Sequence, residues 1–489
     1  MTIASYPSRE SQAKQRLRSG AVTAQIIASF GFMIAIPALA IAGNQAGVLQ
    51  IVFPVLSVAV GSFLLWRSRP AYVELVFWLW FLSPFLGRMA GFQSGWTPNN
   101  GVEVAPYLTA GLTAFPVFAS LRSFGDRRLL PYACALIAIA YGLILGLIKI
   151  PIFNVMRALL NWLVPVLFGA FIYLSRDEYH EIKKVIERSF LLGTLVTGAY
   201  GIYQFFWLPD WDKMWMLNVQ LNSFGAVEAT KIRAFSTMNA PAIFAAMATA
   251  GLLLLFNSPN KLRFVSAGCG FIGLMLTMSR ASWLSLLAGG AYLLLRSEMR
   301  QRMHLTLAIF SCCIAFMSVS QVPAVHDLLI RRIETFSDPS QDVSFSARIA
   351  GHREAFRQIA QEPFGEGIGS TDTYHNTEGD DDIIGPHDST VLEFLYSVGW
   401  IGSLVYLIGF IQLIARLLRS GRQDAFVVSA KAILIGLCIQ SLLNSVMIGV
   451  LGFLVWTLAS MCLIASEEAV TGGKREALGR QRRIDVIAA

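Results

Sequence analysis

The chain has 489 residues, of which 55% are hydrophobic and 14% charged, with a mean hydropathy of +0.56 and a formal charge of +8. Length alone would allow about three soluble domains, but a soluble protein cannot hide that much apolar surface, and the placement of the basic residues argues against nucleic acid as a partner. Apolar runs of roughly 17 to 25 residues recur from end to end, the length that crosses a bilayer as helix. The sequence therefore reads as one all-α polytopic integral membrane protein.

Taken in order, about fourteen spans are predicted by these runs, at 21–42, 47–65, 71–89, 104–121, 129–148, 152–174, 186–207, 238–256, 262–278, 281–296, 304–322, 389–415, 426–446 and 449–466. The first follows a basic stretch but has many successors, so it reads as a membrane helix and not as a cleaved signal. Residues 1–20 form a basic tail, and 21–322 hold spans 1 to 11 with a polar outer segment at 208–237. Residues 323–388 form one large, partly helical loop between spans 11 and 12. Residues 389–466 hold spans 12 to 14, and 467–489 form a second basic tail. Cys134, Cys269, Cys312, Cys313, Cys438 and Cys462 all fall in apolar runs, with no disulfide framework or CxxC metal pattern. Glu74, inside a span, is expected to face the bundle interior and pair with a polar neighbour.

Lysine and arginine set the orientation. With the N-terminus in the cytoplasm, 27 of the 39 basic residues fall on inner segments, and an even number of spans returns the basic C-terminus to the same side. The other twelve are Arg88, Lys149, Arg157, Lys213, Lys231, Arg233, Arg280, Arg331, Arg332, Arg348, Arg353 and Arg357. Outer arginines at helix ends call for anionic partners: carboxylates, headgroups or a phosphate.

Three outer stretches stand out. The segment from Pro209 to Thr237 follows Phe205, Phe206 and Trp207 and holds Trp211 and Trp215, aromatics that suit an interfacial belt. It runs into KIRAFSTMNAPAIF, where Arg233 precedes a helix that Ser236 or Asn239 is placed to cap. The second is TMSRASW, Thr277 to Trp283, a tight turn carrying Arg280. The third is the large loop. Ser346 to Gln361 suits an amphipathic helix with Ile349, Phe356 and Ile359 near one face. Pro363 stops it, and Gly365, Gly367 and Gly369 allow tight turns. An acidic run from Glu378 to Asp382 follows, which reads as solvated loop, and His387 then stands just before a new apolar run. His326, His352 and His375 read as exposed loop histidines.

These stretches resemble the bacterial O-antigen ligase and Wzy-type polysaccharide polymerase superfamily. The likeness lies in Arg233-Ala-Phe-Ser-Thr-Met-Asn-Ala-Pro, in Ser279-Arg280, and in a loop running from Arg348 through Pro363, Gly365, Gly367 and Gly369 to His387 before Gly399 and Gly402. It covers about residues 180–460. His352 stands where the family often has Trp, and Asp388 where it often has Asn.

The resemblance implies glycosyl transfer at the periplasmic face of the bacterial inner membrane, with both termini cytoplasmic and the large loop periplasmic. The donor would be an undecaprenyl-diphosphate-linked glycan. The acceptor would be a second lipid-linked repeat unit in a polymerase making exopolysaccharide or O-antigen, or the lipid A core in a ligase. Inner-membrane lipids, a chain-length regulator and a flippase are the further partners expected, and nucleic acid is not. Residue chemistry agrees. Arg233 and Arg280 suit a leaving diphosphate, because arginine gives bidentate contacts and stays charged. His387 suits the proton of an attacking hydroxyl, with Asp388 either orienting it or taking that role. Arg348 holds phosphate or shapes the loop, and Arg157 snorkels or joins the phosphate cluster. No outer DxD-like motif demands a metal and no cofactor is expected. A transporter or flippase of a lipid-linked glycan is the rival reading from another class, and the absence of an internal repeat weighs against it.

Overall fold

The computed structural model describes residues 9–98, 100–120, 128–219, 222–296, 302, 352–353, 355–371, 389–419 and 424–467. Among them the chain is helical, without strands. The helices are α1 (Arg9–Ala42), α2 (Leu49–Arg67), α3 (Arg69–Ser94), α4 (Gly101–Gly111), α5 (Ala114–Ala119), α6 (Leu130–Lys149), α7 (Ile152–Leu174) and α8 (Tyr179–Trp207). They continue with α9 (Asp210–Val219), α10 (Pro241–Leu255), α11 (Arg263–Leu276), α12 (Arg280–Arg296), α13 (Thr390–Arg419), α14 (Ala425–Gln440) and α15 (Gly449–Glu467). Starts follow local chemistry. The Ser68 side chain accepts from the Ala71 amide at the head of α3, and the Asn100 side chain does the same for Val102 at the head of α4. Prolines open α6 and α10, where a missing amide hydrogen costs little.

Among the described residues, eight helical stretches are long and apolar enough to cross a membrane, and α8 with α9 forms a pair bent by 81°. The predicted spans 238–256, 262–278, 281–296 and 426–446 correspond to α10, α11, α12 and α14, which have 15, 14, 17 and 16 residues. At 1.5 Å per residue α10, α11 and α14 reach only roughly 21–24 Å, short of a hydrocarbon core of about 30 Å. The predicted span 304–322 lies outside the described residues.

The bundle packs through small residues. A Cβ added at Gly198 would meet the backbone of Cys269 and Gly270 at 2.6–2.7 Å, which lets α8 and α11 touch backbone to backbone. Gly169 stands in the same relation to Trp456, and α15 is almost wholly enclosed. Around its Phe453 the rings of Tyr72, Phe77, Trp80, Phe168 and Phe190 interlock, and its Trp456 meets Tyr132, with ring centroids 4.5–6.3 Å apart. Glu74 is buried and paired with Arg188, as expected. Lys183 and Asp424 meet at 2.6 Å at the same end of the bundle. The four described cysteines, Cys134, Cys269, Cys438 and Cys462, are free thiols.

The aromatic run before and within the outer segment divides. Trp207 is exposed, whereas Phe205 and Trp215 are buried, Trp215 against Phe224 and Phe235. In the large loop a short helix covers 355–361. Its buried stripe is Ala355 and Ile359, packed on Leu392 and Leu395 of α13. Phe356, expected on the packed face, points outward, because only the four-residue spacing of Ala355 and Ile359 meets the α13 leucines.

Candidate functional site

The short helices leave non-helical backbone where α10 begins (232–240), between α11 and α12 (277–279) and after α14 (441–448). All three breaks sit at the end of the bundle that carries the loop. Irregular backbone at membrane depth is tolerated where protein or a wet cavity satisfies it, and here buried side chains do most of that work.

Arg88 is the hub of the first break. It is fully buried, its Nε lies 2.8 Å from Asp212 Oδ1, and its two terminal nitrogens donate to the Met238 and Ser236 carbonyls and to Asn239. Its guanidinium also lies over the rings of Phe235 and Trp215. Asp212 is completed by Tyr200 and Gln204, and the Gln204 side chain accepts from the Phe235 and Ser236 amides. Arg88 therefore has its anionic partner within the protein. Neither residue expected to cap α10 does so. Ser236, at φ +56°, donates to the Thr197 carbonyl, and Asn239 donates to Glu103, while Ala240 takes the cap position without a side-chain bond. Arg157 is exposed at the start of α7, and its charge and that of Arg88 both act on Glu103.

Arg233 bonds to the turn that leads into Arg280. Arg233 is half-buried. Its Nε donates to the Thr277 carbonyl at 2.9 Å and its Nη1 to the Ser223 carbonyl at 3.0 Å, while the Ala234 amide bonds Leu276. It thus staples the first break to the turn that ends at Arg280. In that turn Met278 has φ +53°, and Ser279, just ahead of α12, contacts Ser282 at 3.2 Å. Arg280 is the first residue of α12 and is half-buried at that helix start, where backbone amides and the helix dipole also favour an anion.

The glycine segment of the loop is wedged between α6, α7 and α13. Gly365, Gly367 and Gly369 have φ of +90°, +95° and +99°, and a Cβ on Gly367 would stand 2.3 Å from the Gly146 amide nitrogen. Opposite them α13 breaks at Gly399, φ +60°. The hydrogen bonds that α13 loses there are exchanged with the loop. Trp400 donates to Pro363, the Tyr396 and Ser397 carbonyls accept from Glu366 and Gly367, and Ile368 donates to Gly142 of α6. Lys149, at the end of α6, reaches the Gly365 carbonyl at 3.2 Å and Glu366 at 3.4 Å, which accounts for one more basic residue at this end. His352, expected to be exposed, is half-buried, and its Nε2 has no hydrogen-bond partner among the described residues.

Arg348, His387 and Asp388 lie outside the described residues, as does the acidic run. Their neighbour is placed, however. The Thr390 amide donates to the Ser441 carbonyl at 2.9 Å, and its hydroxyl donates to Asn444 and accepts from the Val446 amide. The head of α13, directly after His387 and Asp388, is thereby tied to the third break. Ser285 of α12 donates to the Gly436 carbonyl of antiparallel α14, so the end of α14 runs beside the start of α12 and Arg280. The sequence reading missed two polar residues here. Glu393 in α13 and Gln440 in α14 are 0% and 1% exposed. The signal that singled out Glu74, a polar residue inside an apolar run, applies equally to both.

Residues 264–407, from α11 through the loop into α13, match the O-antigen ligase family. No curated protein matches the chain.

Proposed function

We propose, from its membership of the O-antigen ligase and Wzy-type superfamily, that this membrane protein is a glycosyltransferase that polymerises undecaprenyl-diphosphate-linked repeat units at the periplasmic face of the inner membrane. What supports this reading most is that the end of α14 runs beside the start of α12, where Arg280 stands on the turn held by Arg233, and is bonded to the head of α13 that follows His387 and Asp388. One side suits a diphosphate, and the other suits a hydroxyl and its proton.

In the proposed reaction the acceptor oxygen attacks the anomeric carbon of the donor and forms the new glycosidic bond with inversion. The bond from that carbon to the phosphate oxygen breaks, and its electron pair leaves with undecaprenyl diphosphate. The hydroxyl proton goes to His387 or Asp388. Arg280 and the first amides of α12 stabilise the charge growing on the leaving oxygen without having to reorganise. Arg233 fixes that turn and adds positive charge, and Arg348 and Arg157 extend the cationic side.

The test is the set of surface and lipid-linked glycans in a deletion strain complemented with wild type, Arg280→Ala or His387→Ala. Single flipped repeat units without polymer, rescued by wild type alone, are expected. Polymer left on the lipid carrier and absent from lipid A would make the protein a ligase. Normal chain lengths from both Ala variants would refute the site assignment.

A further inference from the structure

The cationic side of the site has a counterpart of opposite chemistry. Gln440 ends α14 almost wholly buried, and neither its amide nitrogen nor its amide oxygen has a hydrogen-bond partner among the described residues. It continues the α14 stripe of Ser429 and Gly436, which bond Asn257 beyond α10 and Ser285 of α12. One turn past Gly436, the Gln440 side chain therefore faces the first turn of α12, which Arg280 opens. Glu393 is fully buried in the first turn of α13. It shares a helix face with Thr390, whose amide bonds Ser441, the residue after Gln440. Ser397, one turn further along that face, is fully buried, and its hydroxyl has no partner among the described residues.

We infer that Gln440, Glu393 and Ser397 form the hydroxyl-binding side of the site and hold the acceptor sugar while the arginines hold the diphosphate. A carboxylate in a low-dielectric setting repels phosphate but accepts from an O–H, and the dipole at the head of α13 favours it there. An amide has a donor edge and an acceptor edge, which match a hydroxyl that both donates and accepts. A phosphate would leave the amide oxygen facing like charge. An unmatched buried amide weakens a fold, and a sugar hydroxyl completes it. The assignment rests on the glycosyl-transfer reading, and the first sugar of the donor offers the same hydroxyl chemistry.

The test uses the purified full chain in lipid nanodiscs. The lipid-linked repeat unit is the donor, and the same repeat unit on a short alkyl chain is an acceptor that cannot donate. Gln440→Leu and Glu393→Gln should each raise the acceptor KM about 10-fold or more, the effect of losing one hydrogen bond, with the donor KM unchanged. Gln440→Leu should melt no lower than wild type and carries the test if Glu393→Gln fails to fold. A rise confined to the donor KM would move these residues to the donor sugar and overturn the assignment. Unchanged KM values, or a Gln440→Leu protein that melts lower and is inactive on every substrate, would make the residues structural and overturn it too. Absence of any product from wild type would overturn the transfer reading and this assignment with it.

Discussion

Arg88 and Arg280 stand at the same end of the bundle, yet their surroundings give them different work. Arg88 is enclosed by Asp212, three oxygen acceptors and two aromatic rings. Removing one member of such a buried pair leaves an uncompensated charge and costs about 3–5 kcal/mol. Arg88→Met should therefore lower the thermal midpoint in detergent by several degrees, and an unshifted midpoint would show that Asp212 is solvated or otherwise matched. Arg280 is half-buried at a helix start, so Arg280→Ala should leave the midpoint near that of wild type while abolishing polymer. If both variants melted early, the division between scaffold and site would be wrong. Residue chemistry in the sequence marked both arginines as needing anionic partners. It could not rank them, because Asp212 lies 124 positions from Arg88 and only the bend between α8 and α9 brings it there.

At the scale of elements, the kink in α13 and the glycine segment are one device. Gly399 frees the Tyr396 and Ser397 carbonyls, and Glu366 and Gly367 of the loop satisfy them. Gly367→Ala would place a methyl 2.3 Å from the Gly146 nitrogen in a backbone region that alanine avoids at a cost of roughly 1–2 kcal/mol before the clash is counted. It should undock the loop, seen as new protease cleavage between residues 355 and 371, and abolish glycan synthesis with the remaining helices intact. Gly290→Ala in α12 is the control. Nothing lies within 4 Å of its added methyl, so stability should change by less than about 0.5 kcal/mol. A protease pattern for Gly367→Ala identical to wild type would refute the coupling. The turn-forming glycines and the proline stop are legible in the chain, since each is a local demand on φ. The partner strip on α6 is not, because Gly142 and Gly146 look like any other glycines in membrane helices.

For the molecule as a whole, α10, α11 and α14 are each shorter than a full span and border non-helical backbone at the end that carries the loop. Asn444→Cys, in the third break, should react with a membrane-impermeant maleimide in proteoliposomes, whereas Cys134 and Cys462, buried in the bundle, should not. Failure of the engineered thiol to react would mean that the break is dry. Orientation follows from the asymmetry of lysine and arginine. Alkaline phosphatase fused after Ser223 should be active and green fluorescent protein fused after Glu467 should fluoresce, with the reverse pattern inverting the topology. Hydropathy by itself determined that the chain is an all-α membrane protein and where nearly every described helix runs, because a span is a local property of about twenty residues. Local chemistry also singled out Arg233 and Arg280 and the loop glycines. Only the tertiary structure decided that α10, α11 and α14 stop short, that Arg88 is bound by Asp212 while Arg280 opens a helix, and that Glu393 and Gln440 are buried on separate helices. Each of these depends on which distant backbone or carboxylate satisfies a polar group in a medium without water, and that is a property of packing, not of sequence neighbours.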